Sequence, residues 1–310
     1  MEMSKNCILI GAPVETGASQ AGCIMGPASY RTAGLGSVLK SLGHTVEDLG
    51  DLHPAAVSLV DGALTNAKNP EAMIGWTQVL ADAAEMAMGR GFPIFLGGDH
   101  SLAAGTVSGV ARHAAQSGRE QFVLWLDAHP DIHTPATTSS GNLHGVPVAY
   151  FCGLTGFAPH FPDVSAPVPL GNICMMGIRS VDPEENARLS EMEIDVHDMR
   201  SIDEFGVAKP LAAFLERVAA ANGVLHVSMD VDFLDPSIAP AVGTTVPGGA
   251  TFREAHLIME MLCDSGLVTS LDLVELNPFL DERGRTAQLM VDLTASLLGK
   301  KVLDRPTRRF

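Results

Sequence analysis

The chain is poor in cysteine and in long apolar runs, and each shortage excludes a class of protein. Its five cysteines among 310 residues are scattered and form no C-x-x-C pair, which argues against a disulfide framework and a thiolate zinc site. No apolar stretch approaches the roughly 20 residues that cross a bilayer. The N-terminal MEMSKNCILIGAP lacks the h-region and cleavage site of a signal peptide. We therefore expect a reduced, cytoplasmic protein.

Positive charge is also scarce. Lys and Arg number 20 against 36 Asp and Glu, which gives a formal net charge of -16. Nucleic acid and anionic membranes bind to basic surfaces, so neither is expected as a main partner. Hydrophobic residues make up 46% of the chain and charged residues 18%, which is typical of a globular protein with a substantial core.

Short apolar runs alternate with longer helical patterns along the chain. The runs predicted as strands are NCILIGAP, HTVEDLGD, FPIFLGG, QFVLWLDAH, NICMMGI, EIDVHD, VLHVSMDVD and LVTSLDLVEL. The predicted helices cover residues 26–43, 70–88, 101–118, 183–190, 202–221, 252–263 and 285–298. This alternation predicts a mainly parallel sheet with helices on both faces. No repeat or linker divides residues 1–310, so we expect a single domain, with residues 134–169 as a long functional loop.

Polar residues follow four of the predicted strands. They are His100 after FPIFLGGD; Asp127, His129, Asp131 and His133, which alternate in DAHPDIH; Asp230 and Asp232 after HVSM; and Glu275 after LDLV. Residues two apart project from one side of an extended chain. Because ligands of open parallel sheets bind beyond the carboxyl ends of the strands, these four ends predict one polar rim.

Such a rim would require compensating positive charge. Two unit like charges about 4 Å apart repel by on the order of 4 kcal/mol at an effective dielectric of 20. Any one Asp or His after a strand is usually a cap or loop residue, but D-x-H-x-D combined with D-x-D suits two divalent cations. An oxygen-rich set without thiolate favours Mn²⁺ over Zn²⁺, with Fe²⁺, Co²⁺ or Mg²⁺ as alternatives. Two such ions activate a shared water, so the pattern indicates hydrolysis.

Five motifs, in this order and spacing, resemble the ureohydrolase superfamily and specifically its arginases. They are GGDHS, DAHPDIHT, SGNLHGVP, SMDVDFLDP and VELNP, and the opening IGAPVETGASQAGCIMGPASYRTAGL is similar to the family's N-terminus. The resemblance covers almost the whole chain. It implies a three-layer α/β/α fold with an eight-stranded parallel sheet, a binuclear manganese centre, and hydrolysis of L-arginine to L-ornithine and urea.

The resemblance also implies a role for each motif residue. One manganese would be held by His100, Asp127, Asp131 and Asp230, and the other by His129, Asp127, Asp230 and Asp232. A metal-bridging hydroxide would attack the guanidinium carbon. Asp131 would take the proton of the nucleophile, Glu275 would bind the guanidinium, and His144 would protonate the leaving amine.

Substrate contacts follow from the same motifs. Ser140 and Asn142 match residues that contact the α-carboxylate of arginine, and Asp182 and Glu185 match carboxylates near its α-amino group. The chain departs from the family at two positions. His133 stands where arginases usually have Asn, and could add a hydrogen bond or charge to the substrate site; Ser180 stands where many have Asp.

Three other functions remain open from the sequence. Agmatine or guanidinobutyrate could be the substrate of the same chemistry. The chain could be a non-catalytic metal-binding protein, although every ligand position is filled. A binuclear phosphatase would need a basic cluster for phosphate, for which Arg179 is the main candidate.

The C-terminal GKKVLDRPTRRF contains five basic residues and one acidic residue. Family members commonly form trimers or hexamers, so we expect a homotrimer or homohexamer in which the tail, about residues 300–310, packs on an acidic neighbouring subunit. The alternative is a solvated end.

Overall fold

The computed structural model describes residues 4–59 and 64–303, and its centre is one eight-stranded sheet. The strands are β1 Asn6–Ala12, β2 Thr45–Asp51, β3 Phe92–Gly97, β4 Gln121–Leu126, β5 Ile173–Ile178, β6 Asp195–Asp198, β7 Val224–Asp230 and β8 Val268–Val274. Their order is β2-β1-β3-β8-β7-β4-β5-β6, and every pairing is parallel. The predicted parallel sheet is confirmed.

Ten α-helices lie between or after the strands in the described part of the chain. They are α1 Gly26–Thr32, α2 Leu35–Ser41, α3 Pro70–Met88, α4 Ala103–Gln116, α5 Pro147–Phe151, α6 Pro183–Glu191, α7 Met199–Phe205, α8 Ala208–Ala220, α9 Phe252–Ser265 and α10 Arg285–Leu297. None of the described helices is both long and apolar enough to span a membrane.

Two predicted helices each break in two, which corrects the sequence prediction. The helix predicted over 26–43 is interrupted by Gly34 with φ 88°, and the helix predicted over 202–221 by Gly206 with φ 71°. Glycine adopts this left-handed conformation without steric penalty, so it ends a helix within a continuous apolar pattern. The loop predicted over 134–169 also contains the short helix α5.

Alternate side chains of the strands build two apolar layers. In β4, Phe122 and Leu124 pack with the helices α1, α2 and α7–α10, whereas Val123 and Trp125 pack with α3–α5. Because both faces of the sheet are covered, the six inner strands are buried at nearly every position and mostly apolar, whereas the edge strands β2 and β6 are polar and partly exposed. The result is the three-layer α/β/α arrangement, and the carboxyl ends of the strands lie along one edge.

Candidate active site

The four central neighbours β3, β8, β7 and β4 all end in polar residues at this edge. In sheet order these are His100 after β3, Glu275 after β8, Asp230 and Asp232 at the end of β7, and Asp127, His129 and Asp131 after β4. Gly98 permits the turn after β3, because a β-carbon there would lie 2.1 Å from the backbone oxygen of Val14. The structure therefore brings together the residues that the sequence placed on one rim.

His100 is 1% exposed, and its Nδ1 faces three carboxylates. The distances are 2.8 Å to Asp127 Oδ2, 3.1 Å to Asp230 Oδ2 and 3.4 Å to Asp131 Oδ2. His100 Nδ1 and Asp127 Oδ2 are nevertheless buried without a hydrogen-bond partner. Because Nε2 lies 2.9 Å from Ser228 Oγ, to which it can donate, Nδ1 is the nitrogen that can bind a cation among these carboxylates. This donor set fits a shared cation.

A second group of ligand atoms surrounds His129. Its Nδ1 lies 3.1 Å from Asp232 Oδ2 and 3.5 Å from Asp127 Oδ1. Asp232 is held in place by the backbone N–H of Ala128 at 3.0 Å and by the hydroxyl of Thr244 at 3.1 Å. Asp127 presents one oxygen to each imidazole, so the two groups adjoin and share this carboxylate. The ligand atoms of His100, Asp127 and Asp131 lie within 4.8 Å of one another, and so do those of Asp127, His129 and Asp232.

The pKa shifts of these groups show that positive charge is strongly favoured at the rim. Burial and the neighbouring carboxylates raise the pKa of Asp131 and of Asp230 well above the usual range. Burial alone would lower the pKa of His100, but Asp127 raises it to about 9. Burial likewise opposes the charging of His129, whose pKa its two carboxylate neighbours raise to about 12. The protein therefore concentrates negative charge that protons or divalent cations must balance.

Side chains behind His100 fix its ring, and the sequence motifs assign them no role. The indole of Trp125 stacks on the ring, with centroids 4.0 Å apart, and its Nε1 donates to the backbone oxygen of His129 at 3.2 Å. Ser228 donates in turn to Asp272, which is fully buried, at 3.4 Å. The available signal was a serine that shares the strand face of Asp230, two residues before it in a buried strand.

Glu275 and His144 form a buried pair beside the His100 group. Glu275 Oε1 accepts from the backbone N–H of His100 at 2.8 Å and from His144 Nδ1 at 3.1 Å, and Cys23 Sγ lies 3.6 Å from Oε2. Burial would lower the pKa of His144, but the carboxylate of Glu275 raises it. Burial would raise the pKa of Glu275, and His144 holds it below its usual value. His144 therefore carries the proton of this pair, and Glu275 lies beside it as an anionic carboxylate.

A cavity of about 200 Å³ opens above these groups. Its lining includes nine of the predicted site residues, namely His129, Asp131, His133, Ser140, Asn142, His144, Asp182, Glu185 and Asp230. The other four predicted residues, His100, Asp127, Asp232 and Glu275, touch members of this lining. The lining also includes Thr138, Gly145, Ser180 and Thr244. Of these four, Gly145 lies within the motif SGNLHGVP, whereas Thr138 and Thr244 lie outside the five motifs.

His133 occupies the part of the pocket next to α6. Its Nε2 is 3.2 Å from Asp182 Oδ2 and 3.8 Å from Glu185 Oε2, and its Nδ1 is 3.2 Å from Thr137 Oγ1. Asp182 and Glu185 are also the capping box at the start of α6. Glu185 is 5% exposed and accepts from the backbone N–H of Ile132 at 3.1 Å. Helix capping thus fixes two carboxylates at the pocket wall.

Comparison with known proteins identifies the relatives of this chain. A family model described as the arginase family matches residues 5–299. The chain is 62% identical over 302 residues to the arginase of Brucella melitensis biotype 1, which covers 97% of this chain and 99% of that protein. It is 62% identical over 307 residues to the arginase of Agrobacterium fabrum, covering 99% and 94%. The crystal structure of arginase from Bacillus caldovelox superposes with a TM-score of 0.88 at 36% identity, covering 96% of this chain and 100% of that one.

Proposed function

This chain belongs to the arginase family, and on that premise we propose that it hydrolyses L-arginine to L-ornithine and urea in the pocket above the shared Asp127. The proposal rests on one observation: two adjoining histidine–carboxylate groups lie beneath a pocket with amino-acid-binding chemistry. Ser140 and Asn142 offer donors for an α-carboxylate, and Asp182 and Glu185 offer acceptors for an α-ammonium.

Two manganese ions fit the donor set, because its ligand atoms are imidazole nitrogens and carboxylate oxygens. By the family resemblance, one ion would be held by His100, Asp127, Asp131 and Asp230, and the other by His129, Asp127, Asp230 and Asp232. The unpartnered His100 Nδ1 and Asp127 Oδ2 support this assignment. When bound, the ions activate water as a nucleophile near neutral pH.

The remaining chemistry falls to side chains of the pocket. Glu275 accepts at Oε1 from His100 and His144, whereas its Oε2 is contacted by the weakly donating thiol of Cys23 at 3.6 Å and can accept from the guanidinium. Asp131 lines the pocket and takes the proton released by the attacking water. His144 directs Nδ1 to Glu275, which leaves Nε2 to deliver a proton to the leaving amine.

The other functions are less well supported. Agmatine and guanidinobutyrate lack the α-amino acid group that the pocket residues would recognise, and the relatives with high identity are arginases. A non-catalytic role would leave the Glu275–His144 pair unexplained. Arg179, the candidate phosphate ligand, donates instead to the backbone oxygens of Gly177, Asp232 and Val246. Among the described residues, no Arg or Lys lines the pocket to receive a phosphate.

We also propose a single catalytic domain over residues 1–310, acting in the cytoplasm as a homotrimer or homohexamer with L-arginine as its small-molecule partner. The insertion of β8 between β3 and β7 supports one domain. Most of the tail assigned to subunit contacts, residues 304–310, lies outside the described residues. Within the described part, Lys300 bonds Asp292 and Lys301 bonds Asp264 of the same chain.

Urea release from L-arginine tests the proposal directly. Protein stripped of metal by a chelator should release no urea, and Mn²⁺ should restore the reaction better than Zn²⁺. Full activity in metal-free protein would refute the binuclear centre. Agmatine is the matched control substrate: equal efficiency on agmatine and arginine would refute the arginine assignment while leaving guanidine hydrolysis intact.

A further inference from the structure

Lys68 reaches the substrate pocket through a contact with Asn142. Its Nζ lies 3.0 Å from Asn142 Oδ1 and 3.2 Å from Ser19 Oγ, and the Ser19 hydroxyl donates to the same Oδ1 at 2.8 Å. An ammonium group can only donate, so the amide atom that faces it is the oxygen. This triangle fixes the orientation of the amide and leaves Nδ2 to meet a ligand in the pocket that Asn142 lines.

The backbone around Lys68 is bonded to the same pocket loop. The N–H of Lys68 donates to Gly141 O at 2.8 Å, and Asn69 Nδ2 donates to Thr16 O at 3.1 Å. Gly141 has φ 75°, and a β-carbon on it would lie 2.6 Å from Asn66 O. Glycine is therefore required where the two segments meet. The ammonium group is thus attached to a segment that packs on the loop, although the side chain of Lys68 is exposed.

The neighbouring hydroxyl is also arranged as a donor. The backbone N–H of Asn142 donates to Ser140 Oγ at 3.2 Å, and Thr138 Oγ1, which donates to Asn142 O, lies 3.3 Å from the same hydroxyl. The Ser140 hydroxyl is therefore the donor to Thr138 and can turn to a ligand in the pocket that it lines. Asn142 Nδ2 and this hydroxyl offer two neutral donors, and Lys68 adds a positive charge behind them. A carboxylate is the ligand group that this combination suits, because hydrogen bonds to an anion are stronger beside a cation.

We propose that Lys68 is a positioning residue that sets the preference for substrates with an α-carboxylate, acting through the amide of Asn142. The inference rests on the proposed function, because it takes arginine as the substrate. Agmatine has the same guanidinium but no α-carboxylate, so Lys68 contributes nothing to its binding. Lys68 therefore favours the binding of arginine over agmatine, although it contacts neither the metal ligands nor the reacting atoms.

Three variants test this role. Lys68→Met removes the charge and keeps the length of the side chain, Lys68→Arg keeps the charge, and Lys40→Met removes an exposed lysine from α2, outside the pocket lining. In Lys68→Met the KM for arginine should rise about 2- to 10-fold with little change in kcat, the range expected for one lost hydrogen bond. Lys68→Arg should restore most of the loss. Agmatine kinetics, and both substrates with Lys40→Met, should not change.

A double variant tests the route through Asn142. If Lys68 acts by orienting that amide, Lys68→Met should add almost nothing to Asn142→Ala, because the group it positions is gone. Fully additive effects, or an equal loss with agmatine and arginine, would overturn the proposal, since they indicate an independent or merely structural role.

Product binding separates this inference from the proposed function. Calorimetry with L-ornithine and with 1,4-diaminobutane, which lacks the carboxylate, compares the same two ligand classes without turnover. Lys68→Met should weaken ornithine binding about 2- to 10-fold and leave the diamine unaffected. Unchanged ornithine binding would refute the role of Lys68. Absence of urea production by the unmodified enzyme would instead refute the proposed function.

Discussion

Replacing Glu275 by Gln removes one negative charge from a side chain that is 2% exposed, and tests its role as the guanidinium acceptor. A hydrogen bond to a charged partner contributes about 1.5–3 kcal/mol and a neutral one about 0.5–1.5 kcal/mol. The bond to Oε2, made neutral, therefore loses about 1–1.5 kcal/mol. Since 1.4 kcal/mol is tenfold, kcat/KM for arginine should fall by about tenfold.

Steady-state urea release measures this loss, with Glu216→Gln, an exposed position on α8, as the matched control. Metal content should stay unchanged, because Glu275 is not a proposed metal ligand. NMR titration of metal-free protein gives a second readout. The pKa of His144 is raised by Glu275 against the effect of burial, so it should fall in the variant. A kcat/KM within about threefold of the unmodified enzyme would show that Glu275 does not carry guanidinium binding.

Other changes probe the α-carboxylate site, the proton donor, the ring support and the tail. Asn142→Ala should lower kcat/KM for arginine about 5- to 100-fold and leave the slow agmatine reaction nearly unchanged, and equal effects on the two substrates would contradict the assignment of Asn142. His144→Ala should slow the hydrolysis of both substrates. Ser228→Ala removes the acceptor for His100 Nε2 and should weaken manganese binding about 10- to 100-fold, measured by competition with a chelator. An unchanged affinity would contradict the assignment of the His100 proton to Nε2. Deleting residues after Leu303 should reduce the oligomer seen by sedimentation, and an unaltered sedimentation profile would remove the tail from the interface.

The central strands were predictable because both faces of a parallel sheet are covered. Each buried strand therefore reads as a continuous apolar run, and its polar end stands out. The order of the strands was not predictable in the same way. The pairing of β3 with β8 joins residues more than 170 positions apart, such as Ile94 and Leu271. No local sequence pattern encodes that pairing. The prediction of one polar rim therefore depended on the four strand ends being adjacent, which only the fold shows.

Some site residues could be predicted from local sequence, whereas others depend on contacts between distant segments. His129 and Asp131 follow one strand at fixed spacing, so their shared direction follows from the period of an extended chain. Lys68 and Thr244 reach the site from segments that carry no motif, and their roles depend on how loops pack. Ser228 is intermediate: the strand pattern places it on the face of Asp230, but its contact with His100 needs the neighbouring strands.

Backbone strain at two site residues indicates where function outweighs stability. Asp131 has φ 48° and Glu275 has φ 62°, in the left-handed region that costs a non-glycine residue about 1–3 kcal/mol. Glycine would relieve that strain but would remove a carboxylate from the rim. The surrounding contacts hold both conformations: the carbonyl of Asp131 accepts from the N–H of Val148 at 3.1 Å, and the N–H of Glu275 donates to Gly98 O at 2.8 Å. Glu275 directly follows β8, so its left-handed conformation turns the chain out of the sheet at the edge where the site lies. Asp131 adopts the same conformation in the segment after β4, where its carboxylate lines the pocket. The strain is therefore located at the two places where the backbone directs a carboxylate toward the site.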